Sequence, residues 1–91
     1  MELIRAVRKG NLEEVQRLVN NGVDIDWREN GGMTALMYAA NEGNLAVVQL
    51  LLKAGAKLNF RAGDGSSALM YAEYNGYTDV AEALRKAGAV D

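Results

Sequence analysis

Thr34-Ala35-Leu36-Met37-Tyr38-Ala39-Ala40 returns, altered but legible, as Ser67-Ala68-Leu69-Met70-Tyr71-Ala72. The displacement is 33 residues, and one more step back brings Leu3 into register with Leu36 and Leu69. Other residues keep the same spacing: Ala6, Ala39 and Ala72; Gly10, Gly43 and Gly76; Leu18, Leu51 and Leu84; Gly22, Gly55 and Gly88. A fixed period in the range of roughly 20–50 residues marks a stacked repeat architecture, because each repeat is a unit that cannot bury its apolar face alone. The period decides the fold.

Within one period the pattern predicts two short helices. Glu2 to Lys9 carries Leu3, Ile4, Ala6 and Val7 at helical spacing, and Gly10 ends it. Asn11 is placed to cap a second helix, Leu12 to Asn20, whose apolar stripe is Leu12, Val15, Leu18 and Val19. Asn21-Gly22 closes that helix. Residues 23–33 have no helical period and read as an extended arm that reverses at Asn30-Gly31-Gly32. The plan then repeats. Thr34 opens a helix to about Asn41, and Leu45 to Lys53 follows with Leu45, Val48, Leu51 and Leu52 inward. A second arm turns at Gly63-Asp64-Gly65, and two further helices lie near Ala68–Asn75 and Thr78–Ala87.

This wording resembles the ankyrin repeat, whose frame runs G-x-T-P-L-H-x-A-A, a glycine turn, a Leu/Val-rich second helix and G-A-D-V-N. Gly32 to Ala40, Gly55-Ala56-Lys57-Leu58-Asn59 and Gly22-Val23-Asp24-Ile25-Asp26 match that frame, and the match covers the chain as three units. The resemblance implies an all-α solenoid of helix-turn-helix units with short β-turn or hairpin fingers. First helices would line a concave face and second helices would form the convex back. Residues 1–28 would be an N-terminal capping repeat, 29–61 an internal repeat and 62–91 a C-terminal capping repeat. Two positions depart from the frame: its Pro is Ala35 and Ala68 here, and its His is Met37 and Met70.

Composition narrows the function classes. With 91 residues the chain suits one domain, and a 49% hydrophobic, 24% charged balance suits a folded soluble one. A net charge of −2 offers nucleic acid no general attraction. No apolar run approaches the ~20 residues of a membrane span, and the mixed-charge N-terminus does not suit a signal peptide. A cytoplasmic location is expected on these grounds, with the nucleus left open.

Catalytic chemistry finds no footing. The chain has no His and no Cys, which removes Ser-His-Asp and Cys-His nucleophile pairs and the usual N/S zinc sites. Ser66 and Ser67 are its serines, and Ser67 reads as a helix cap. Gly63-Asp64-Gly65-Ser66-Ser67-Ala68 matches a dinucleotide fingerprint in form, but a second helix follows where a buried parallel strand is needed. Asp24 to Gly31 begins like a calcium loop, yet Arg28 stands at the third ligand position. No enzyme, cofactor or metal is expected.

The aromatic residues say more. Trp27 and Phe60 share a register at the finger base, as do Tyr38 and Tyr71 on the first helices, with Tyr74 one turn further on. Arg28 and Arg61 stand beside the former pair. Trp, Tyr and Arg are enriched at interface hot spots, whereas the same rings could instead pack beneath the fingers with Arg stacked on them. Matched to the repeat frame, the expected protein-binding residues are Trp27, Arg28, Glu29, Asn30, Met33, Tyr38, Asn41, Phe60, Arg61, Asp64, Ser66, Tyr71 and Tyr74. The expected partner is another protein. The alternatives are a second copy of the chain, an engineered scaffold using the same surface, and a small-molecule or oligonucleotide-like ligand held by Trp27, Arg28, Phe60 and Arg61.

Overall fold

The computed structural model describes residues 1–90 and contains six helices: α1 (Glu2–Lys9), α2 (Leu12–Asn20), α3 (Ala35–Glu42), α4 (Leu45–Lys53), α5 (Ala68–Tyr74) and α6 (Thr78–Lys86). Their starts follow from capping chemistry. Thr34 Oγ1 accepts from the Met37 N–H and Ser67 Oγ from the Met70 N–H, each at 3.2 Å. Asn11 and Asn44 cap α2 and α4 in the same way, at 3.2 Å from the Glu14 and Val47 amides. Each such cap is worth about 1 kcal/mol. Tyr77 stands at the same register before α6 and supplies no side-chain cap. Its ring instead lies against Gly43, where an added Cβ would come within 2.7 Å of it.

The helices form two layers. α1, α3 and α5 pack side by side, and α2, α4 and α6 pack behind them, each hairpin joining one layer to the other. Between the layers Leu3, Leu36 and Leu69 are buried at one shared register, and Leu51 and Leu84 at another. Leu18, in register with Leu51 and Leu84, is buried beside them. Stacking makes this core continuous from unit to unit, which is how so short a chain acquires one.

The second-helix stripes differ from the expected ones. Val15 and Leu18 are buried in α2, whereas Leu12 is 43% exposed and Val19 half-buried. In α4 the buried set is Val47, Val48 and Leu51, with Leu45 and Leu52 at the margin. The reason is geometric. A helix of nine residues meets the front layer along a narrow strip, and positions at its first turn and on its flanks drift to the back.

No β-strand occurs among the described residues, and the arms are turns braced by a few backbone hydrogen bonds. Glu29 N–H donates to the Met33 carbonyl at 3.1 Å, and Ala62 N–H to the Ser66 carbonyl at 2.9 Å. Gly31 and Gly32, at φ of +90° and +80°, supply the left-handed backbone the first reversal needs. The fingers are joined where Gly63 N–H donates to the Gly31 carbonyl at 2.7 Å. One arm also braces the next. Asp26 Oδ1 accepts the Lys57 amide at 2.9 Å, so this carboxylate ties the first arm to the second.

Candidate functional site

Fingers and first helices meet along one surface, and tyrosine phenols tie them together. Tyr38 on α3 donates its hydroxyl proton to Glu29 of the first finger. Tyr71 on α5 donates to Asp64 of the second finger, with oxygens at 3.3 and 3.4 Å, and its hydroxyl lies 3.4 Å from the Met33 sulfur. The two tyrosines are equivalent in register, although the acids that receive them are not. Further along, Asn75 Nδ2 donates to Asn41 Oδ1 at 2.9 Å, linking α5 to α3.

The electrostatics follow from these contacts. The hydrogen bond to Glu29 and partial burial hold the Tyr38 phenol above its usual range. Partial burial and the nearby Asp64 charge do the same for Tyr71. Asp64 itself is lowered, first by the Ser66 amide that donates to it. Glu42, although exposed, is raised by partial desolvation, against a smaller opposing pull from Arg8. All three shifts of the tyrosines and Asp64 leave the phenols protonated and Asp64 anionic at neutral pH.

At the finger bases the cations are already engaged. The Arg28 guanidinium stacks over the Phe60 ring at 4.8 Å and donates to the Gly32 and Arg61 carbonyls. Lys57 Nζ lies 5.9 Å from the same ring. Arg61 donates to the Gly65 carbonyl at 2.9 Å and reaches the Met70 sulfur at 3.5 Å. Phe60 is thus half-buried and structural on one side, while Trp27, its register mate, is 40% exposed.

The remaining expected contacts divide by exposure. Asn30, Asn41 and Asp64 are exposed, Met33 and Glu29 are half-buried, and the Tyr74 ring is 70% exposed. Ser66 is 5% exposed, because the finger reversal folds its side chain inward beside Tyr71 and Asp64. It supports the surface from below. Arg8 was not among the expected residues, yet its guanidinium lies 4.9 Å over the Tyr38 ring. Its signal in the sequence was its register with Asn41 on the following first helix. On the back, Leu12, Val19 and Leu50 line a shallow groove between α2 and α4.

A family model described as ankyrin repeats (3 copies) matches residues 3–91. Among solved structures, the chain is similar to one chain of a predatory endopeptidase from Bdellovibrio bacteriovorus in complex with an immunity protein. The two are 40% identical with a TM-score of 0.92 over 98% of this chain. The match spans 47% of the other chain, so this sequence corresponds to about half of it. No curated protein sequence matches.

Proposed function

Because the chain belongs to the ankyrin-repeat family, whose arrays serve as protein-interaction modules, we propose that it binds another protein through its fingers and first helices. The observation that carries this reading is the pair of phenol–carboxylate ties, Tyr38 to Glu29 and Tyr71 to Asp64. They hold aromatic rings in place before any partner arrives, and a preorganised surface loses less entropy on binding. Trp27 and Tyr74 add large exposed rings of the kind that anchor interfaces. Residues 1–28 and 62–91 serve as capping repeats around 29–61. In support, Glu73 and Arg85 stand at the registers of Ala40 and Leu52 and form an ion pair there.

The partner class to test first is an endopeptidase, since the similar solved chain comes from a complex of an endopeptidase with an immunity protein. Affinity capture followed by titration tests the surface. Trp27→Ala and Tyr71→Ala should each weaken the captured protein by more than about 1–2 kcal/mol, the loss typical of a truncated anchor. Glu13→Ala and Glu82→Ala, on exposed second-helix positions, should leave affinity unchanged. A melting curve beside each titration keeps binding separate from folding. Loss on changing Glu13 with full retention by Tyr71→Ala would move the site to the back.

A further inference from the structure

The stack contains its own template for a ligand. Between the first and second units, Arg8 places a guanidinium 4.9 Å over the Tyr38 ring, and the Tyr38 hydroxyl is bonded to the Glu29 carboxylate. Ring, hydroxyl-bound carboxylate and cation thus form one assembly. One period later the ring and the carboxylate recur as Tyr71 and Asp64. The cation does not. Asn41 holds the register of Arg8, and its amide oxygen is taken by Asn75.

Nearby cations do not make up the difference. Arg61 is turned to the Gly65 carbonyl and the Met70 sulfur, and Arg85 is paired with Glu73. Among the described residues no cation stacks on Tyr71 or Tyr74, and Asp64 has no ion pair. The Ser66 amide keeps Asp64 anionic, and the carboxylate is exposed. Tyr74 stands one helical turn beyond Tyr71 on α5, and its ring is the more open of the two. An exposed aromatic face beside an unpaired carboxylate attracts a planar, weakly hydrated cation, which can lie on the ring and donate to the oxygens together.

We infer that Tyr71, Tyr74 and Asp64 form a subsite for an arginine side chain of the partner protein, completing in the second interval what Arg8 completes in the first. The subsite rests on the protein-binding reading above and gives it a chemistry: the partner presents a basic side chain to the second finger. Specificity for arginine over lysine follows from the planar fork, which can stack and donate at once.

The test needs no partner. The full chain is titrated with acetyl-Gly-Arg-Gly-amide, and with the citrulline peptide that has the same shape and no charge, while amide and tyrosine-ring resonances are followed by NMR. Shifts should centre on Asp64, Gly65, Tyr71 and Tyr74, with the arginine peptide roughly two- to fivefold tighter than the citrulline one, the gain of an exposed cation–π contact. Asp64→Asn keeps an acceptor for the Ser66 amide, and Tyr74→Leu alters an exposed ring; each should remove that preference. Arg8→Ala should open a second such site at Tyr38 and Glu29. Equal binding of the two peptides, shifts spread over all surface acids, or an unchanged preference in Asp64→Asn would overturn the subsite. Such a failure leaves the protein-binding reading intact, because that reading stands or falls on the capture experiment with Trp27→Ala and Tyr71→Ala.

Discussion

Arg28 reaches across one full repeat to lie over the Phe60 ring, 4.8 Å from its centre. The same guanidinium donates to the carbonyl of Arg61, so one side chain fastens the first finger to the second. Phe60 therefore serves the stack before it serves any partner, and Trp27, which has no such cover, is the freer ring.

Removing that clasp should loosen the fingers while the helices hold. Arg28→Ala is expected to cost about 1 kcal/mol, the scale of an exposed cation–π contact. Hydrogen exchange reads it locally. The Gly63 amide, bonded to the Gly31 carbonyl, should lose protection, while the amides of α3 and α4 keep theirs. Unchanged exchange at Gly63 would mean that the fingers are held by their backbone alone.

Leu51 is fully buried in α4, where the middle unit meets its neighbours, and Gln49 is exposed two residues earlier. Leu51→Ala should destabilise by about 2–5 kcal/mol, through lost burial and the cavity left behind. A small domain has only about 5–15 kcal/mol of stability, so a large fall in melting temperature is expected. Gln49→Ala should leave the melting temperature nearly unchanged. Equal losses would put the wrong face of α4 inward.

Gly43 and Gly76 allow conformational strain to be separated from packing. Both have left-handed backbones, with φ of +70° and +73°. A Cβ at Gly43 would meet the Tyr77 ring at 2.7 Å, whereas at Gly76 it meets nothing within 4 Å. Gly76→Ala should therefore cost only the left-handed penalty, roughly 1–2 kcal/mol. Gly43→Ala should cost more, and the excess should shrink when Tyr77 is also changed to Ala. Chemical denaturation of the parent chain, Gly43→Ala, Tyr77→Ala and the double variant supplies the cycle, with Gly76→Ala as the strain-only reference.

The acid limb of the stability curve should carry an Asp64 contribution. Its carboxyl is lowered in the folded chain by the Ser66 amide, so the folded state binds its proton less readily than the unfolded state. Stability from this group is complete above the ordinary carboxylate range and is lost as pH falls through the lowered value. Glu42 works with the opposite sign. Partial desolvation raises it, so its cost to the folded state appears as pH rises through the ordinary carboxylate range towards the raised value. Melting temperatures followed from neutral to acid pH should thus fall less steeply in Asp64→Asn than in the parent chain. An identical slope would remove Asp64 from the acid response.

Much of this architecture was legible in the chain itself. The 33-residue period, the capping Asn11, Thr34-type and Ser67 side chains, and the register of Leu3, Leu36 and Leu69 are local or periodic properties, written once per unit and read by comparison. The pairing of Tyr38 and Tyr71 as equivalent surface rings came from the same arithmetic. A period, however, states which residues are equivalent and not which ones touch. Several contacts between units join unlike registers: Arg8 lies on Tyr38, Arg28 on Phe60, and Tyr77 on Gly43. The inward turn of Ser66 and the outward drift of Leu12 likewise depend on where a finger reverses and where a short helix meets its neighbours. Those placements are decided by side-chain packing across the stack, and only the tertiary structure contains it.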